Sequence, residues 1–414
     1  SERKQQRPEN TFLPTNYNNN GRKAPPLKII PLGGLNEIGK NLYLYECCND
    51  MFIVDCGLAF PDDDMLGVDL VIPDFTYIIK NKDKLRGVVL THGHEDHIGS
   101  LAYLLKKVNV PVYGTPLTLG LVRNKLEEHG ILSECTLNVV QPRQTVKLGC
   151  MAVEFIRVNH SIPDSCGFAI YTPAGVVIHT GDFKIDLTPI DGEPIDINRF
   201  AYYGTKGVLA LLSDSTNVEH AGFTQSEKEI GKTFEQCFLK APGRVIVASF
   251  ASNVYRLQQV ADVAIDQGRV VCFQGRSMEQ IVKIAQELGY MHIPQEKIVK
   301  VEYLKNIPDY MVCVMTTGSQ GEPMSGLFRM ANATHKLNIG AGDTVIISAS
   351  AIPGNERGVA RVINALYEKG ADVVYDRMAD VHVSGHACAG ELRLMLEITK
   401  PKYFIPVHGE ARHL

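Results

Sequence analysis

The sequence predicts an α/β protein built of two units, one inserted into the other. Three observations carry this. Short apolar or β-branched runs crowd residues 27–216, helical and strand-like runs alternate after about residue 225, and histidine motifs near both ends of the chain ask for one shared site. The length agrees, because 414 residues exceed one ordinary core.

In the first unit KIIPLGG, NLYLYEC, MFIVDCG, LRGVVLTH, MAVEFIRVNH, CGFAIYT, GVVIHTGD and GVLALLSDST read as strands, many of them punctuated by Gly, Asn, Asp or Pro. Ile98, Leu101, Leu104, Leu105 and Val108 keep helical spacing and predict one helix, and LTLGLVRNKLEEHG predicts a second. From SEKEIGKTFEQCFLK onward, helices alternate with RVIVASF, RVVCFQG, MVCVMTT and DTVIISAS, the pattern of βαβ units in a parallel sheet. The expected divisions are a disordered arm at 1–26, a first part at 27–225, the insertion at 226–379 and a return to the first unit at 380–414. No solenoid repeat and no low-complexity block interrupts them.

Composition narrows the class. Hydrophobic residues make up 45% and charged residues 21%, as in soluble globular proteins, and no apolar run is long enough to cross a bilayer. The opening SERKQQRPEN has no apolar core of a signal peptide, so a cytoplasmic location without membrane attachment is expected. Ten cysteines without a C-x-x-C spacing read as buried free thiols in a reducing compartment, not as zinc fingers. A net charge of −4 means that any nucleic acid would be held by a local groove and by metal ions. Arg244, Arg256, Arg276 and Arg329 are candidate contacts to it, against the plainer reading of solvated surface charges.

The chemistry concentrates in Thr91-His92-Gly93-His94-Glu95-Asp96-His97, at a strand-to-helix turn. His92 and His94, two apart in an extended segment, point the same way, whereas Asp96 and His97 fall at the turn and face a second point. The spacing therefore suits two neighbouring cations, with zinc favoured and manganese the alternative. It is not the H-E-x-x-H helix of metalloproteases, since Ile98 stands where that motif needs histidine. One turn cannot saturate two metals. His160, Asp182 and His408 each end a strand-like run and are the completing ligands, with Asp182 the natural bridge. Asp55 also ends a strand; it is either a turn aspartate or the acceptor that fixes the tautomer of a liganding histidine.

These residues resemble the metallo-β-lactamase superfamily, through Asp55, His92-x-His94-x-Asp96-His97, His160 and Asp182. More narrowly the chain is similar to the β-CASP nucleases, in which an acidic motif (here Ser213-Asp214-Ser215-Thr216) and histidine motifs (His386 and His408) flank an inserted α/β domain. Most narrowly it resembles the bacterial ribonuclease J family, through LGGLNEIGKN, VDCGLAFP, THGHEDHIG, SFASNVYR, TTGSQGEP and HVSGH. The resemblance implies a metallo-β-lactamase αββα sandwich carrying a β-CASP insert. It implies two zinc ions, one held by His92, His94, His160 and Asp182, the other by Asp96, His97, Asp182 and His408. Substrate contacts are implied for His382, Val383, Ser384, Gly385 and His386 and for Ala251, Ser252 and Asn253.

The implied reaction is hydrolysis of single-stranded RNA, 5′→3′ from a 5′-monophosphate and also endonucleolytic, in mRNA decay and rRNA maturation. His386 would protonate the leaving oxygen, with Asp214 orienting it and Asp96 at the metals. The family continues past the His408 motif into a domain linked to self-association, so a homodimer or homotetramer and RNA-degradation or ribosome-associated partners are expected of the whole protein. Three other readings compete: a DNA-directed β-CASP nuclease, a small-molecule metallo-hydrolase, and a catalytically inert RNA-binding scaffold. A complete ligand set argues against the last, and an inserted clamp argues against the small substrate.

Overall fold

The computed structural model describes residues 24–61, 65–322, 325–351, 355–376 and 378–414. Most of the arm expected at 1–26 lies outside the described residues.

Three sheets organise the chain. The first holds β1 (Leu27–Gly33), β2 (Leu42–Cys47), β3 (Asp50–Val54), β4 (Leu85–Val89), β5 (Val112–Gly114) and β6 (Leu137–Val139), side by side in that order. The pairs β1–β2 and β2–β3 are antiparallel, and β3 through β6 run parallel. The second sheet is built from β7 (Thr145–Leu148), β8 (Met151–Arg157), β9 (Cys166–Thr172), β10 (Gly175–His179) and β11 (Ala210–Asp214). The third contains β12 (Val245–Ala248), β13 (Val270–Gln274), β14 (Val312–Thr316), β15 (Thr344–Ile347) and β16 (Asp372–Tyr375), ordered β13-β14-β12-β15-β16 and all parallel. The chain then returns. β17 (Tyr403–Val407) lies parallel beside β11 in the second sheet, with Asp214 opposite Val407. The whole third sheet is therefore spliced between two neighbouring strands of the second.

Alternation along the strands assigns each face. Tyr43 and Tyr45 point into the space between the first two sheets, where they meet Phe155, Phe168 and Leu212, while Leu42 and Leu44 point outward beneath helices. The second sheet turns Ile156, Ala169 and Leu211 outward onto the helices Ile197–Lys206 and Ala389–Thr399. This makes helix, sheet, sheet, helix. In the insert, Val245 and Val247 face one set of helices and Ile246 and Ala248 the other, so that sheet is covered on both sides as a parallel sheet requires. The outer core of the first sheet runs without a break into one core of the insert, joining the two units through packed side chains.

One expected helix is broken. The apolar stripe from Ile98 is buried as its spacing demands, but the structure has two short helices, Glu95–Ile98 and Leu101–Leu105. At the break the Ser100 N–H donates to the Cys56 carbonyl and the Ser100 hydroxyl to the Gly57 carbonyl, replacing bonds within the helix. Among the described residues no helix is long and apolar enough to cross a membrane.

Phe168 is fully buried between the sheets, in edge contact with Phe155 at 4.8 Å between ring centroids. Phe168→Ala should lower stability by about 3–5 kcal/mol, through lost transfer energy and an unfilled cavity. Urea unfolding followed by circular dichroism measures the loss.

Candidate metal centre

The candidate site lies at one end of the sandwich, where β3, β4, β8, β10, β11 and β17 all terminate. Asp55, His92, His160, Asp182, Asp214 and His408 follow or end those strands. The 92–97 turn is fixed by its backbone. The carbonyls of Glu95, Asp96 and His97 accept N–H groups of Leu58, Asn41 and Cys56 at 3.0, 2.9 and 2.7 Å. Gly57 makes this possible, because a Cβ there would stand 1.6 Å from the Asp96 carbonyl oxygen.

Two clusters result. In the first, Nε2 of His92 and Nε2 of His160 each lie 3.0 Å from Nδ1 of His94. Three ring nitrogens converging this closely have the spacing of ligands on one face of a metal polyhedron, since zinc–nitrogen bonds of about 2.0–2.1 Å put tetrahedral ligands about 3.3 Å apart. The second cluster is Asp96, His97, Asp182 and His408. Nε2 of His97 lies 3.1 Å from Asp182 Oδ2, and Nε2 of His408 lies 3.0 Å from Asp96 Oδ2. Asp182 joins the clusters, its Oδ2 also standing 3.7 Å from Nε2 of both His92 and His160. Hard carboxylate oxygens mixed with imidazoles are a donor set for a divalent cation.

The outer hydrogen bonds aim these rings. Asp55 accepts from the Thr91 N–H and hydroxyl and from Nδ1 of His97, all at 2.8 Å, which leaves His97 Nε2 facing the cluster. Nδ1 of His160 donates to the Gly385 carbonyl at 2.7 Å, and a side chain at 385 would collide with that ring. Asp214 accepts from Nδ1 of His386 at 2.8 Å and from the Thr216 hydroxyl, which also reaches Nδ1 of His408. Most of the set is buried; His94, Asp96 and His386 are half-buried and form the mouth.

Protonation divides the clusters. Burial, reinforced by neighbouring imidazoles, pushes His92 and His160 down and His94 to about 4, so these rings are neutral at pH 7. Burial also opposes charge on His97 and His408, but the surrounding carboxylates outweigh it and raise His97 well above its usual range and His408 to about 10.

The loop 382–386 comes to the same mouth. His386 and the Gly385 carbonyl touch the clusters directly. Ser384 accepts the His386 N–H, Val383 is buried, and Nδ1 of His382 takes a 2.9 Å hydrogen bond from Arg256. Ala251, Ser252 and Asn253 make no hydrogen bond or ion pair to the clusters among the described residues. Asn253 instead caps the helix Val254–Asp266. Sequence reasoning misplaced Arg256. It is neither a surface charge nor exposed to a ligand, being fully buried with all five donors engaged: Glu227 twice, the Ser348 and Val383 carbonyls, and His382. Lys184, which donates to the Ser384 carbonyl at 3.3 Å, was also missed. A basic residue in a plain helix or loop carries no signal of burial until the fold closes over it.

The divided protonation gives a measurement. At pH 7 the His97 and His408 rings each carry a proton that ligation must displace, whereas His92, His94 and His160 have none to lose. Divalent metal binding to the metal-free chain should therefore release protons, read as buffer-dependent heats in calorimetry. The release should fall as pH rises through about 10, where His408 gives up its own proton, and in His408→Ala.

Comparison with known proteins places this geometry. Residues 36–221 match the metallo-beta-lactamase superfamily, residues 242–366 the beta-CASP domain of ribonuclease J, and residues 371–414 the Zn-dependent metallo-hydrolase RNA specificity domain. Ribonuclease J of Helicobacter pylori strain J99 is 46% identical over 97% of this chain, which spans 58% of that protein's length. Ribonuclease J 1 of Streptococcus pyogenes serotype M3 is 48% identical over 94% of this chain and 70% of its own. A crystal structure of a protein of unknown function from Enterococcus faecalis superposes with a TM-score of 0.66 at 14% identity, covering 94% of this chain and 95% of that one, a likeness of fold alone. With that identity sustained along almost its entire length, and with an insert splicing β11 from β17, the chain belongs to the ribonuclease J family of metallo-β-lactamase proteins with a β-CASP domain.

Proposed function

We propose that this chain hydrolyses phosphodiester bonds of single-stranded RNA at the histidine–aspartate clusters, and that it works 5′→3′ from a 5′-monophosphate as well as endonucleolytically. The observation that carries the reading is one buried carboxylate, Asp182, shared by two histidine clusters beside a carboxylate-held histidine, His386. His92, His94, His160 and Asp182 would hold one zinc ion, and Asp96, His97, Asp182 and His408 the second, with manganese the alternative. When bound, such ions supply neutralisation of phosphate charge and easier ionisation of water, whose pKa can fall from about 15.7 toward 7.

The chain's own residues do the rest. Asp214 holds Nδ1 of His386 and, with Asp182 nearby, raises that imidazole above its ordinary range against the opposing effect of burial. This favours the protonated form of His386, which can give a proton from Nε2 to a leaving oxygen at the mouth. Asp55 keeps the His97 tautomer, and the Gly385 carbonyl keeps that of His160. The loop 382–386 and residues 251–253 would hold the RNA backbone. Residues 27–225 and 380–414 act as the hydrolase unit, with 226–379 as the clamp. The whole protein would act in the cytoplasm as a dimer or tetramer, alongside RNA-degradation or ribosome-associated partners.

A 5′-monophosphorylated RNA labelled at its 3′ end tests this. Metal-dependent, progressive shortening by the wild type and none by His94→Ala is the expected result. Cleavage of a small lactam or of all-DNA substrate, with RNA left intact, would refute it. His386→Ala should keep its metal and lose about 10²–10⁴ in turnover, the usual share of one acid–base group.

A further inference from the structure

Three thiols meet at the other end of the sandwich. Cys47 ends β2 in the first sheet, Cys48 begins the turn into β3, and Cys150 sits in the turn between β7 and β8 of the second sheet. Cys150 is 103 residues beyond Cys47 in the chain, yet the three sulfur atoms all lie within 4.8 Å of one another. We propose that Cys47, Cys48 and Cys150 form a structural site for a soft cation of the Zn²⁺ or Cu⁺ class, joining the two sheets at the end remote from the histidine–aspartate clusters.

The spacing is that of ligands around one ion. Cys47 Sγ and Cys48 Sγ are 3.9 Å apart. Zinc–sulfur bonds of about 2.3 Å place tetrahedral thiolates about 3.8 Å apart, whereas a disulfide needs about 2.05 Å. Neighbouring residues of a regular strand point to opposite faces. Here Cys48 has left-handed backbone, at φ 56°, and both sulfurs come to one side.

The third ligand is held in place by its surroundings. The Cys150 N–H donates to Asp50 Oδ2 at 2.7 Å, and Arg86 holds Asp50 Oδ1 at 2.5 Å. Gly149, at φ +65°, lets the turn close onto Asp50, for a Cβ there would stand 2.2 Å from the carboxyl carbon. The Cys150 thiol lies 3.3 Å from the Cys47 carbonyl oxygen. Cys48 and Cys150 are exposed, so an ion can enter. Burial and the adjoining thiols push Cys47 up to about 11 and Cys150 up to about 12. Three would-be anions thus repel one another, and a thiophilic cation relieves the repulsion as it displaces their protons. The five residues of β3 separate this corner from Asp55, about 17 Å at strand rise. The two metal centres can therefore be read separately.

Cadmium is the probe, because cadmium bound to thiolates absorbs in the ultraviolet by charge transfer and cadmium bound to histidine and carboxylate does not. The reduced full chain should take up one Cd²⁺ with this band. In Cys150→Ser and in Cys48→Ser the band should vanish or need more than about 100-fold more free metal. It should persist in Cys237→Ser, whose thiol lies elsewhere, and in His94→Ala. Cys48 is exposed in a turn, so its serine variant tests the idea even if Cys150→Ser folds poorly. No thiolate band in the reduced wild type, or an unchanged band in Cys48→Ser, overturns the proposal.

Discussion

Asp182 is 3% exposed and has imidazole nitrogens of His92, His97, His160 and His408 between 3.1 and 3.9 Å away. A carboxylate so buried keeps its charge only if cations or hydrogen-bond donors surround it, because an uncompensated buried charge is strongly destabilising. The His97 and His408 imidazoliums satisfy it in the metal-free chain, holding it well below the usual carboxylate range against the effect of burial. Divalent ions held by the same ligands would take over that compensation. The need to compensate Asp182 thus ties four strands of two sheets, β4, β8, β10 and β17, to one point, and a strand misplaced by one residue would turn its contributed side chain away.

The same point ties the insert to the sandwich. The splice between β11 and β17 leaves the returning segment, residues 378–402, to be held by something other than the ladder. Arg256 does much of this. From a helix of the insert it reaches the strand end at Ser348, Glu227 in the entering linker and Val383 in the returning one, with no donor left over. Its partner is less complete: Glu227 Oε2 is buried without a hydrogen bond, with Lys184 Nζ 4.0 Å away. Both crossings of the junction are therefore locked to one guanidinium, and the loop carrying His386 inherits its position from there.

The sequence made the cluster residues visible because most of them stand at or just beyond the end of an apolar run, and the end of a hydrogen-bonded strand is a fixed place in space. Thr91 to His97 could be read for its two directions before any coordinates, since period-two alternation and a helical turn aim side chains differently. Burial of Arg256 was not readable, for its partners are scattered over residues 227–383 and a lone arginine in an amphipathic helix looks like a surface charge. The break at Gly99-Ser100 was hidden for a related reason. The apolar spacing continues through it, and only the bonds from Ser100 to the carbonyls of Cys56 and Gly57 show that tertiary partners have replaced helical ones. The thiols failed differently. They are free thiols as read, but burial was wrong for Cys48 and Cys150, which are exposed, because hairpin turns from two sheets meet where the sequence shows only a doublet and a distant single.

Gly385 joins these threads. Its carbonyl fixes the His160 tautomer, and the next residue, His386, is held by Asp214. The returning loop therefore presents a carbonyl to one cluster and an imidazole to the other, and neither can shift alone without breaking a bond about 2.7–2.8 Å long. Position 385 has to be glycine on steric grounds, because the ring of His160 occupies the space of a Cβ. The loop also rests on Arg256 and Lys184 through the carbonyls of Val383 and Ser384. Arg256 belongs to the insert and Lys184 to the sandwich, so both units grip the loop one or two residues before Gly385, and the placement of Gly385 and His386 depends on the two units together.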